Sequence, residues 1–153
     1  MSWEIHREQV VHAPVERVFG FFSRARNLQE LTPPWLHFDV LTPEPIRMGP
    51  GTLIDYRLRL RGVPMRWRTL IEAWEPGRMF VDRQLRGPYR LWHHTHEFEA
   101  HSQGTLVRDR VRYEIPLGAA GRVARMLFVR RDLEQVFDYR REAVARLLEA
   151  DGH

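Results

Sequence analysis

From about Ala119 to Ala150 the chain contains no proline, and its only interior glycine is Gly121. On a wheel of 100° per residue begun at Val123, the side chains of Met126, Leu133, Phe137, Val144 and Leu148 fall in one stripe. Val123, Leu127, Val136 and Leu147 flank it, and Arg131, Asp132, Gln135, Asp138, Glu142, Arg146 and Glu149 lie opposite. The spacing predicts an amphipathic helix, roughly 45 Å long at 1.5 Å per residue. Such a helix cannot bury its apolar face alone, so a broad apolar partner must lie beneath it. Arg130 and Arg140 fall inside the stripe. Each either snorkels to the surface along the edge or meets an acidic group within. Phe128 and Tyr139 fall on the polar face.

The rest of the chain reads as the partner. Trp3 to His12 is a first strand, and Pro14 opens a short helix over Val15 to Ser23, with Glu16 at its positive end. Asn27 to Leu31 is a second short helix, stopped by Thr32-Pro33-Pro34. Six strands follow: Leu36–Leu41, Thr52–Arg61, Val63–Trp74, Met79–Arg86, Leu91–Ala100 and Thr105–Ile115. The connections after the proline-rich loop 42–51 are tight turns, which demand antiparallel pairing. Alternation such as Ile54, Tyr56, Leu58, Leu60 against Asp55, Arg57, Arg59, Arg61 makes one face wet and one covered. The expectation is an α+β protein. A curved antiparallel sheet of about seven strands wraps around the long C-terminal helix, with two short helices after the first strand, in a single domain over 1–153.

Composition removes several classes of function. The chain has no cysteine, so disulfides, thiol catalysis and thiolate metal sites are excluded. No apolar run approaches the roughly 20 residues of a membrane span, and the first residues lack a signal-peptide layout, so a cytoplasmic protein is expected. No Gly-rich phosphate loop or nucleophile elbow is present. All 24 lysine-plus-arginine positions are arginine. Arg57, Arg59, Arg61, Arg66, Arg68, Arg108, Arg110 and Arg112 gather on wet faces, with Trp74 the main aromatic there. Glu72, Glu97, Glu99 and Glu114 share those faces and stacking aromatics are not interleaved, so no nucleic-acid partner is expected.

Chemistry concentrates on the covered faces. On one strand His94 and His96 share a face with Trp92 and Phe98. On its predecessor Asp82 and Gln84 share a face with Phe80, and on the last strand Asp109 shares one with Val107, Val111 and Tyr113. A one-residue slip of register would turn each set outward. Buried polar groups need partners, so three readings compete: a patch that orients a ligand, a self-satisfied structural network, or an acid–base pair drawn from His94, His96 and Asp109. Histidines at i and i+2 on a strand also permit a shared zinc, with Asp109 or Asp82 as third ligand. An aspartate beside a histidine is first a hydrogen-bond partner, and no metal or other cofactor is assigned.

Ala13-Pro14-Val15-Glu16-Arg17-Val18-Phe19 resembles the opening of the first helix in the START / birch-pollen-allergen superfamily, also called SRPBCC or polyketide cyclase/dehydrase-like. The run Gly87-Pro88-Tyr89-Arg90-Leu91-Trp92-His93-His94-Thr95-His96-Glu97-Phe98 resembles a stretch of its little-characterised bacterial members. The element order resembles their helix-grip fold over essentially the whole chain. The resemblance implies a cavity between sheet and long helix that takes a hydrophobic ligand. On that expectation Tyr56, Trp67, Phe80, Trp92, Phe98, Tyr113 and Phe137 provide apolar walls. Asp82, Gln84, His94, His96, Asp109, Arg130 and Arg140 orient a lipid-, quinone- or polyketide-like molecule. The alternatives are an acid–base cyclase or dehydratase in the same cavity and a protein-interaction module. The oligomeric state is left open, a homodimer through Phe128 and Tyr139 being one option.

Overall fold

A computed structural model describes residues 2–149. Strand β1 (Trp3–Val11) leads to α1 (Val15–Phe22) and α2 (Asn27–Leu31), then a 3-10 turn (Pro34–Leu36). Strands β2 (Asp39–Val40), β3 (Leu53–Leu60), β4 (Val63–Glu75), β5 (Met79–Arg86), β6 (Leu91–His101) and β7 (Gly104–Glu114) follow. The C-terminal helix comprises α3 (Gly118–Ala124), a π-helical turn (Arg125–Val129) and α4 (Arg130–Glu149). Among the described residues the strands form one antiparallel sheet in the order β1-β7-β6-β5-β4-β3-β2. No helix among them is long and apolar enough to cross a membrane. This is the helix-grip fold, an α+β arrangement with the sheet curved around the long helix. Ala150, the last residue of the helix expected from the sequence, lies outside the described residues.

Leu133, Phe137, Val144 and Leu148 of α4 are buried. They join two apolar clusters, one with Val18, Phe19, Phe22, Phe80 and Phe98, the other with Trp92, Val111 and Tyr113. Where the chain leaves β7 for the helix, backbone passes close to backbone. A Cβ on Gly121 would lie 2.1 Å from the Pro116 carbonyl oxygen, so only glycine fits there. The β3–β4 hairpin closes through Arg61 (φ 50°) and Gly62 (φ 82°), the positive-φ pair of a type I′ turn.

Three local expectations are corrected. The strand placed over Leu36–Leu41 shrinks to Asp39–Val40. Pro33 and Pro34 start a 3-10 turn instead, and His37 ends it in the left-handed region at φ 47°. Trp74 points inward rather than outward, packing edge-on against Phe19 at 5.1 Å and beside Phe80 at 5.3 Å. The β4–β5 register slips between Ile71 and Ala73, and an extra residue there reverses the alternation beyond it. The helical wheel also fails before Arg130. Val123, Met126 and Leu127 are exposed, because the π turn breaks the 100° phase on which the stripe was drawn, while Phe128 is exposed as its place on the polar face implies.

Several arginines of the outer face meet carboxylates: Arg57 with Asp39, Arg68 with Asp55 through two nitrogens, Arg83 with Glu72, and Arg108 with Glu99. Phe128 lies under the Arg61 guanidinium at 4.6 Å, and Tyr139 packs edge-on against Trp35 at 6.1 Å.

Candidate functional site

The sheet brings four titratable groups together under α4. In the β6–β7 ladder His96 stands opposite Asp109, and in the β5–β6 ladder Asp82 stands opposite His94. Two side chains on one strand, spaced by two, therefore meet carboxylates from both neighbouring strands. His94 Nε2 lies 2.8 Å from Asp109 Oδ1, and His96 Nε2 lies 2.5 Å from Asp82 Oδ2. The imidazoles stack on each other, centroids 3.6 Å apart, and Phe80 stacks on the far side of His96 at 4.0 Å. Phe80 and the His94 ring thus cover the two faces of the His96 imidazole.

Arg140 descends from α4 into the same cluster. Its Nη2 donates to His96 Nδ1 at 3.2 Å and to Asp109 Oδ1 at 3.4 Å, and its guanidinium lies over Phe22 at 5.2 Å. Because Arg140 donates to Nδ1, His96 carries its proton on Nε2 and donates it to Asp82. His94 donates Nε2–H to Asp109. Its Nδ1 faces Asp82 at 3.9 Å, beyond hydrogen-bond reach, and keeps a lone pair.

Burial pushes the His94 imidazolium pKa down to about 4, and the neighbouring His96 adds to this against the pull of Asp109 and Asp82, so His94 is neutral near pH 7. Burial alone would raise the Asp109 carboxyl. The charge of Arg140 and the hydrogen bond from His94 outweigh it and hold Asp109 well below its ordinary value. Asp82 is likewise held down against burial, by its bond to His96 and by the charges around it. In this cluster two carboxylates, Asp82 and Asp109, face the one guanidinium of Arg140.

Above this floor lies a chamber of about 170 Å³ between the sheet and α4. Its walls include Tyr56, Leu58, Trp67, Tyr89, Trp92 and Leu133, and its floor Asp82, His94, His96 and Arg140. Trp67 and Trp92 meet edge-on at 5.3 Å, and Tyr89 lies 4.9 Å from Trp92. Burial raises the phenol pKa of both Tyr56 and Tyr89, which remain protonated. Outward, the chamber shares Leu36, Leu60, Tyr89, Leu133 and Val136 with a larger groove of about 860 Å³, rimmed by Trp35, Arg61, Leu127 and Phe128. At the groove Arg61 makes a two-nitrogen contact with Asp132, at 3.1 and 3.0 Å.

Of the residues singled out from the sequence, Tyr56, Trp67, Asp82, Trp92, His94, His96 and Arg140 line the chamber. Asp109 and Phe137 sit behind Arg140, and Phe80 behind His96. Phe98 packs with Phe19 and Phe22, and Tyr113 with Trp3, Tyr89 and Trp92. Gln84 braces the β5–β6 turn, its Nε2 donating to the Tyr89 carbonyl at 2.7 Å and its Oε1 accepting from Tyr89 N–H at 3.1 Å. Arg130 is exposed and pairs with Glu134 at 3.2 Å. Val129, shifted inward by the π turn, packs on the Trp92 cluster. Leu28, Thr32, Leu36 and Phe38, from the segment between β1 and β3, were not anticipated in the wall. Leu58 and Leu60 share the face of Tyr56 and follow from alternation.

The family model described as "Polyketide cyclase / dehydrase and lipid transport" matches residues 11–139. No curated protein matches the chain in sequence. The Zhui aromatase/cyclase from Streptomyces sp. R1128 is similar in structure, with a TM-score of 0.79 at 14% identity over 100% of this chain and 97% of that one. Protein CV1439 from Chromobacterium violaceum gives 0.75 at 16% identity, over 95% and 97%. Ara h 8.0201 gives 0.70 at 14% identity, over 99% and 100%. At such identities the likeness is one of fold. The family match spans most of the chain, which therefore belongs to the polyketide cyclase / dehydrase and lipid transport family.

Proposed function

We propose that the protein binds a small amphipathic molecule with an aromatic head, quinone- or polyketide-like, in the chamber between sheet and α4. The observation that carries this reading is the pairing of aromatic walls with a charged floor. Trp67, Tyr89 and Trp92 offer ring faces and edges, while His96, Asp82 and Arg140 end the chamber in donors and acceptors. A cavity of about 150 Å³ accommodates benzene, so a volume of about 170 Å³ suits one or two rings. A longer apolar tail would lie in the outer groove, against Trp35, Leu127 and Phe128.

The test uses 2-hydroxy-1,4-naphthoquinone as probe and tryptophan emission as readout. Saturable quenching is expected in the native protein. Val136→Trp, which fills the chamber from α4, is expected to weaken binding by about tenfold or more, equivalent to about 1.4 kcal/mol. Quenching that never saturates, or that Val136→Trp leaves unchanged, would count against the chamber as the binding site.

A second reading has its own support. Each histidine is tied through Nε2 to a carboxylate, and the Nδ1 lone pair of neutral His94 is free to accept a proton. An acid–base enzyme of the cyclase or dehydratase kind predicts that Asp109→Asn stops turnover while probe binding persists. Binding without turnover across polyketide-like substrates favours the carrier.

A further inference from the structure

We propose that Asp82, His94 and His96 form a site for a first-row divalent cation, with coordination positions open toward the chamber. This goes beyond the ligand-binding reading, which stands with or without a metal. One ligand atom from each residue falls in a group whose members all lie within 4.8 Å of one another. Ligands bound at about 2.1 Å to a shared ion sit roughly 3–3.5 Å apart. The 3.9 Å from His94 Nδ1 to Asp82 Oδ2 needs to close slightly, and the 2.5 Å from His96 Nε2 to Asp82 Oδ2 needs to open by less than about 1 Å. The stacked rings must splay for their lone pairs to converge. Nothing covalent stands in the way, since both side chains project from one strand beneath an open volume.

Three features support a metal over a plain hydrogen-bond network. The His94 Nδ1 lone pair already faces Asp82 with no hydrogen bond between them, while Asp109 fixes the opposite nitrogen. A carboxylate on the far nitrogen is the arrangement that orients a metal-bound histidine and raises its basicity. His96 can adopt the same state by moving its proton from Nε2 to Nδ1. That nitrogen lies 3.4 Å from Asp109 Oδ1, so once Arg140 gives up its hydrogen bond to Nδ1, Asp109 would brace both rings and Arg140 would keep its contact with Asp109. The ring gains and loses no proton overall. Finally, the two carboxylates of Asp82 and Asp109 outnumber the one guanidinium, so a cation between them is electrostatically favoured. Two imidazoles and one carboxylate suit Zn2+, Fe2+ or Co2+, and exclude the all-oxygen preference of Mg2+ and Ca2+.

Cobalt is the probe. Protein stripped with EDTA and titrated with CoCl2 is expected to bind one ion per chain, with visible absorption typical of low-coordinate nitrogen and oxygen ligation. Trp92, whose ring centroid lies 6.3 Å from that of His94, reports the location, so bound cobalt should quench its emission. Trp92→Phe should remove that component and keep the stoichiometry. Asp82→Asn should weaken binding by about 100-fold or more, and Asp109→Asn by about 10–100-fold. Absence of binding at millimolar cobalt overturns the proposal. So does binding that Asp82→Asn leaves unchanged, which would point to surface histidines such as His6. If Asp82→Asn unfolds, the native protein decides: stoichiometric cobalt without quenching of Trp92 overturns the site.

Discussion

Replacing Arg140 by methionine is expected to lower the unfolding free energy by about 3–5 kcal/mol, because it leaves the Asp109 carboxylate buried without its cation. Both side chains are only 12% exposed, so water cannot take over the role of the guanidinium. Asp109→Asn should likewise destabilise, leaving Arg140 without its counter-charge. The double variant should cost less than the two changes summed, by about 1–3 kcal/mol, since the second removes the charge that the first strands. Arg130→Met is the internal control. Arg130 is 66% exposed beside Glu134, and its replacement should change stability by no more than about 0.5 kcal/mol. Urea unfolding of the four variants measures the cycle. Additive costs, or an Arg140→Met protein as stable as the parent, would contradict a charged floor held together by Arg140.

The second large effect is an acid sensitivity that begins well above the carboxylate range. His94 titrates near 6.5 when unfolded and near 4 when folded, because burial resists its charge. Below pH 6.5 the unfolded chain therefore takes up a proton that the folded chain refuses, and stability falls as pH drops through this window. By about pH 4 the loss attributable to His94 approaches 3 kcal/mol. Asp82 and Asp109 act at lower pH. Their folded values are depressed, so their stabilisation is complete above the ordinary carboxylate value and is lost as pH falls below it. Urea midpoints between pH 7 and pH 4, in metal-free buffer, should decline for the native protein. They should be flatter for His94→Gln, which cannot titrate. Parallel declines in the two proteins would show that the sensitivity comes from elsewhere.

The sequence carried the fold and the floor of the site for one shared reason: strict alternation. In β6, Trp92, His94, His96 and Phe98 keep period two over an unbroken ladder, so the apolar residues declare the direction of the histidines between them. Asp109 follows from Val107 and Val111 in the same way. Arg140 follows from helical period, because Leu133, Phe137 and Val144 lie in regular α4 on either side of it. Legibility failed wherever the period broke. The register slip beside Glu72 turned Trp74 inward, and the π turn moved Val129 inward and left Arg130 at the surface. Leu28, Thr32, Leu36 and Phe38 reach the chamber from short helices and a turn, where no period runs long enough to assign a face. Tyr89 sits in the β5–β6 turn, and its place in the wall depends on the Gln84 brace, which sequence spacing does not reveal.

The measurement that bears most directly on the chamber as a ligand site is native mass spectrometry of the protein purified from its own host without added ligand. A non-covalent organic adduct should accompany the chain, leave on denaturation, and be depleted in Val136→Trp prepared in parallel. A bare chain mass in every preparation, together with naphthoquinone quenching that fails to saturate, would contradict the account.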